Sequence, residues 1–173
     1  MNALARLAAS RGYWLALFGV GLSMEAAALY LQYVHQYGPC VLCIHVRILV
    51  SALMLTALLA LPLHGFRSGR AFAQFVTVML LAGLVERAWR LLGIEQGFIE
   101  GECSFDLGLP LWLPLDQWFP AVFQVQDACG YTPTLVFGIS LAELLLPLSV
   151  LLLVVAVAVL LVTLFGSRTG VRG

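Results

Sequence analysis

The chain has 173 residues, 62% of them hydrophobic and only 10% charged. Soluble domains are about 45–50% apolar and about a quarter charged, so this composition excludes an ordinary soluble domain and points to the bilayer. The zero formal net charge says nothing by itself about nucleic acid, because the charges are segregated by segment, and no nucleic-acid partner is expected.

Crossing a ~30 Å hydrocarbon core takes about 20 mostly apolar residues. Four stretches qualify, at about 14–31, 41–61, 72–92 and 144–165. They predict an all-α, integral membrane four-helix bundle forming a single domain over 1–173. The connecting segments at about 32–40 and 93–139 are expected on one side of the membrane. Orientation follows from the basic residues, which are nine arginines with no lysine. Arg6 and Arg11 precede the first span, Arg67 and Arg70 separate the second from the third, and Arg168 and Arg172 follow the fourth. Segment 93–134 instead holds Glu95, Glu100, Glu102, Asp106, Asp116 and Asp127 and no basic residue. By the positive-inside rule both termini are cytoplasmic, and the 32–39 turn and the long acidic loop face outward.

The first span carries Glu25, and an intramembrane carboxyl is a functional candidate by default, with a hydrogen-bonded structural role as the alternative. Basic residues leading into this span, and the small residues of "EAAA" within it, also raise the possibility of a cleaved leader. Glu25 interrupts the run where such a segment should become small and polar, so the first span is expected to be retained. In the turn "QYVHQYG", His35 reads as an exposed loop histidine, since no second ligand stands at metal spacing. Pro39 sits where a first helical residue belongs.

The third span ends in "VERAWRLLG", where Glu86 and Arg90 can pair along the helix, or the arginines can anchor at the membrane surface. The loop that follows, some forty residues, is far longer than the usual ~4–6, which marks a functional or disordered segment. Within it "LPLWLPLDQWFPAVF" carries Trp112, Trp118, Phe119 and Phe123, suited to a short amphipathic helix in the headgroup layer. The fourth helix opens with "SLAE", a capping box of Ser140 and Glu143, and Pro147 predicts a kink.

All four cysteines, Cys40, Cys43, Cys103 and Cys129, fall on the outward side of this topology. An extracytoplasmic setting is oxidising, so paired disulfides are expected. Three connectivities are possible, and Cys40–Cys43 with Cys103–Cys129 is favoured because the first pair is so near in sequence. A zinc site lacks a second short knuckle. A passive C-x-x-C staple closes too small a loop to remove much unfolded-state entropy. Redox exchange fits better, because Cys-X-X-Cys at a helix N-terminus is a device for lowering a thiol pKa. Cys40, Cys43 and Arg47 stand at i, i+3 and i+7 on one helical face. Arg47 is then one turn below Cys43, able to favour a thiolate and hold an electron-rich oxygen.

"PCVLCIHVR", followed by a loop with "EC", "WLPLDQWFP" and a later lone cysteine, resembles the disulfide bond formation protein B (DsbB) family over nearly the whole chain. The resemblance implies a protein-disulfide:quinone oxidoreductase of the bacterial inner membrane that re-oxidises a periplasmic thioredoxin-like oxidase (DsbA). It implies that Cys103 and Cys129 form the disulfide attacked by the partner, and that Cys103 holds the mixed disulfide. Freed Cys129 then attacks the Cys40–Cys43 bridge, Cys43 becomes the thiolate facing a membrane quinone (ubiquinone or menaquinone), and Arg47 binds that quinone. Two positions depart from the family pattern. Val46 replaces a frequent glutamate, and Arg90 stands where some members carry a histidine. A quinone enzyme of the vitamin K epoxide reductase type shares the chemistry with a different cysteine arrangement. The alternative from another class is a non-catalytic membrane scaffold stapled by two disulfides.

Overall fold

The structure, a computed structural model, describes residues 10–63, 65–100, 107–109, 114–127, 138 and 140–165. Among them, four helices are long and apolar enough to cross a membrane: α1 (Arg11–Val34), α2 (Val41–Leu63), α3 (Arg67–Glu95) and α6 (Leu141–Phe165). The shortest has 23 residues and, at about 1.5 Å per residue, still exceeds a ~30 Å hydrocarbon core. Two four-residue helices, α4 (Leu115–Trp118) and α5 (Pro120–Phe123), lie in the long loop, and Trp118 and Phe119 are exposed. Cys103, Cys129, Trp112, Arg6, Arg168 and Arg172 lie outside the described residues.

Three of the four spanning helices begin before their apolar runs do, because polar residues serve as caps and first turns. Ser10 Oγ accepts from Tyr13 N at 3.3 Å and starts α1. At α6 the capping box forms reciprocally, Glu143 N donating to Ser140 Oγ at 3.1 Å and Ser140 N to Glu143 Oε2 at 3.0 Å. The helix then runs unbroken past Pro147. Gln32, expected in the turn, belongs to the last turns of α1. The start of α2 also differs from expectation. Pro39 is not its first residue; the helix begins at Val41, and Cys40 O accepts the first intrahelical bond from Ile44 N at 3.0 Å. Pro39 stays outside because its carbonyl receives Gln126 N, at 3.0 Å, from the long loop.

Each helix packs on the next, α1 on α2, α2 on α3 and α3 on α6, while α1 and α6 share no comparable interface. Lipid supplies little hydrophobic drive between helices, so close approach of small residues matters instead. Ala57, Ala60, Ala88, Ala142 and Ala156 are accordingly buried, and Gly21 faces Met54 so tightly that a Cβ there would stand 2.6 Å from its Cγ. The outer faces stay apolar, with Leu151 and Val154 about three-fifths exposed, at 60% and 61%. Away from the cysteines, buried Gln74 ties three helices together. Its Nε2 donates to Tyr13 Oη of α1 and to Ala156 O of α6, both at 2.9 Å. At that end Gln74 bridges α1 and α6, and toward the cysteines a cavity lies between them.

Candidate functional site

The cysteine end is where α2 begins. Cys40 occupies the N-cap, and its Sγ accepts from Cys43 N at 3.3 Å, doing with sulfur what serine oxygen commonly does at this position. The two sulfurs approach to 2.7 Å. The helix N-terminus presents unpaired amides and positive potential, which favour a thiolate there. Cys40 is buried at 3% exposure, whereas Cys43 lines a cavity of about 290 Å³ bounded by α1, α2 and α6.

Arg47 lines the same cavity one turn deeper and does not snorkel to a surface, being only 5% exposed. A guanidinium can be buried this way only if its donors are met. Here Nη1 donates to Gln32 Oε1 at 2.7 Å and to Val122 O of α5 at 2.8 Å, and Nη2 donates to Ala28 O at 3.1 Å. The Cys43 sulfur and the Glu25 carboxyl both lie within Coulombic range of it. Glu25 also faces the cavity and accepts from Ser51 Oγ at 3.3 Å. Apart from these groups the lining is mostly apolar, with Val46 and four leucines of α6 among it.

The long loop is docked against this region at three places. Tyr33 Oη and Gln32 Nε2 donate to Ala121 O at 2.7 and 3.4 Å. Gln126 N and Asp127 N converge on Pro39 O at 3.0 and 3.4 Å, over Gly38, where an added Cβ would meet Asp127 Oδ2 at 2.8 Å. His45 Nε2 donates to Leu107 O at 3.0 Å, holding another part of the loop to α2.

The structure thus gathers Cys40, Cys43 and Arg47, as the sequence pattern proposes, and adds Gln32, Gly38, Ser51 and α5, which that pattern did not single out. One signal for Gln32 was available: it stands seven residues after Glu25, on the same face of α1. Arg90 is not part of the cavity. It pairs with Glu86 along α3, as does Arg87 at 3.1 Å. His35 is exposed as expected, and its ring lies against those of Tyr30 and Tyr37.

Helices with lipid-facing apolar surfaces, and paired thiols at the head of one of them, define a multi-pass membrane protein of thiol chemistry. The chain belongs to the DsbB family: the model for disulfide bond formation protein DsbB matches residues 10–159. It is 34% identical over 171 residues to disulfide bond formation protein B 2 of Pseudomonas aeruginosa, covering 98% of this chain and 99% of that one. Disulfide bond formation protein B of Shewanella loihica is 35% identical over 150 residues, covering 83% of this chain and 84% of that relative. That of Shewanella sp. strain MR-4 is 33% identical over 144 residues, covering 83% and 82%. Membership makes this a disulfide bond formation protein, with disulfide-forming oxidoreductase activity.

Proposed function

We propose that the chain is a protein-disulfide:quinone oxidoreductase, a single transmembrane domain of the bacterial inner membrane. Its termini are cytoplasmic, its cysteines periplasmic, and its protein substrate is a periplasmic thioredoxin-fold oxidase of the DsbA type. The observation that carries this reading is that one thiol, Cys43, and one buried guanidinium, Arg47, line the same largely apolar cavity between α1 and α6. A protein substrate outside the membrane cannot meet an acceptor dissolved in it, so a relay of two cysteine pairs is needed.

In this relay the partner's thiolate attacks the Cys103–Cys129 disulfide, forming a bond to Cys103 and releasing Cys129. Thiol exchange requires only an accessible disulfide and an attacking thiolate. In the sequence Cys129 follows Asp127, whose N–H is docked on Pro39 O, by two residues, a span of chain of at most about 7 Å. Its thiolate attacks Cys40 of the Cys40–Cys43 bridge, and Cys43 leaves as the thiolate, favoured by Arg47 and by the helix N-terminus.

The cavity fits a quinone in its chemistry, with apolar walls for a ring and tail and Arg47 as donor to an oxygen. Ubiquinone or menaquinone would supply a two-electron acceptor there. The gap between α1 and α6 would admit it from the lipid, and Arg47 would orient it toward Cys43.

Quinone reduction driven by a reduced DsbA-type partner is the deciding assay, with turnover expected from the purified protein and lost in Cys43→Ser. Full turnover in Cys43→Ser overturns the relay. A stapled scaffold would give neither turnover nor a visible thiolate–quinone absorbance when quinone is added. A covalent complex trapped with Cys129→Ala identifies the partner.

A further inference from the structure

We propose that Glu25 is the proton donor of this cavity, delivering a proton to the oxidant as the Cys40–Cys43 pair is re-formed. The inference rests on the quinone reading above and adds a residue to it. Along α2, Cys43, Arg47 and Ser51 follow at intervals of four residues, about 6 Å of helix rise each. Cys43 and Arg47 line the cavity, while Ser51 donates to the Glu25 carboxyl, which lines it in turn from α1. The wall therefore reads thiol, guanidinium, carboxyl from the helix start inward. A carboxyl in a spanning helix is costly and is retained where it faces a functional interior. The other side of the cavity, from α6, contributes only leucines. Ser23 of α1 and Tyr37 of the turn complete the polar lining, so Glu25 is the only carboxyl among the described lining residues.

The chemistry balances as follows. The Cys40–Cys129 bond breaks as Cys103 recaptures Cys129, leaving Cys40 and Cys43 as thiolates. The Cys40–Cys43 bond then forms and two electrons pass to the quinone, while the two protons of the partner's dithiol have already left toward water at the cysteine end. The quinone gains two protons to become the quinol. Glu25 gives one of them and is left as the carboxylate, opposite Arg47, while the other comes from water at the cysteine end. Glu25 recovers its proton from water once the quinol has left. Positioned general acids contribute about 10²–10⁴-fold, so the residue is worth testing by rate.

Glu25→Gln keeps the shape and an acceptor for Ser51 Oγ but cannot give up a proton in this way. We expect kcat for quinone reduction to fall about 10²-fold with quinone KM changed less than about threefold, and Glu25→Asp to recover part of the loss. Oxidation of the reduced Cys40–Cys43 pair by a small soluble disulfide, which needs no proton in the cavity, should keep its wild-type rate. Independently of turnover, dicyclohexylcarbodiimide, an apolar carboxyl reagent, should modify Glu25 in quinone-free protein, and added ubiquinone should protect it. Ser51→Ala, which leaves the carboxyl in place, should lower kcat by a smaller factor and serves as the test if Glu25→Gln does not accumulate. Wild-type kcat in Glu25→Gln or Ser51→Ala, an equal loss with the soluble disulfide, or no protection from the carbodiimide overturns the proposal. A wild-type protein that reduces no quinone removes the functional reading itself, whereas wild-type turnover with an unaffected Glu25→Gln removes this inference alone.

Discussion

Arg47 shows how one side chain serves two neighbours. Its Nη1 reaches both the α1 residue Gln32 and the loop carbonyl of Val122, 75 positions away, while the same group lines the cavity beside Cys43. A hydrogen bond to a charged group is worth about 1.5–3 kcal/mol, so Arg47→Ala should raise the quinone KM about 10- to 100-fold. The KM for the reduced partner should change less than about threefold, and steady-state kinetics with each substrate varied in turn measures both. Equal losses in the two would instead report a collapsed site. Arg47→Lys should recover little of the quinone affinity, because an ammonium cannot span Gln32, Ala28 and Val122 in the fork geometry that the guanidinium uses.

At the scale of elements, the N-terminus of α2 and the start of α6 are built by different means. Ser140 and Glu143 cap α6 through local bonds, and Ser140 Oγ also donates to Glu95 Oε2 of α3 at 3.0 Å. Ser140→Ala should therefore cost about 1 kcal/mol, seen as a lower thermal midpoint in detergent, with thiol chemistry unchanged. Helix α2 instead takes its cap from Cys40, and the turn before it is a landing place for the loop. Gly38 has no room for a side chain beneath Asp127. Gly38→Val should push residues 126–127 off Pro39 and slow transfer from Cys129 to the inner pair about tenfold or more, since small misplacements of reacting groups are costly. Attack of the partner on Cys103 should keep its rate. Rapid-quench alkylation of single turnovers separates the two steps, and equal slowing of both would contradict this docking role.

At the scale of the whole molecule, α1 and α6 meet through one buried side chain and enclose a cavity elsewhere. Gln74 joins α1, α3 and α6 far from the cysteines, whereas the cavity lies where α1 and α6 lack an interface. The proposed topology, read from the arginine distribution, puts the cysteine end outside the cytoplasm. Two exposed positions test it: Gln36→Cys, in the turn before α2, and Ser68→Cys, in the first turn of α3. With the native cysteines replaced, a membrane-impermeant maleimide should label Gln36→Cys in intact spheroplasts and Ser68→Cys only after lysis. The reverse pattern would invert the topology and end the periplasmic reading.

The four helices long and apolar enough to span and the α6 cap were legible in the residues, because bilayer thickness dictates apolar length and capping is local chemistry. The grouping of Cys40, Cys43 and Arg47 was legible for the same reason, since a helix period alone puts them on one face. The Glu86–Arg90 pair, four residues apart, was legible too, whereas only the tertiary structure decided what Arg47 holds and that α2 starts at Val41. Those outcomes depend on partners far apart in the chain, such as Gln32 and Ala121, which are 89 positions apart. No local pattern encodes such a meeting. It arises when helices pack and the loop must satisfy its backbone carbonyls on the groups it finds there.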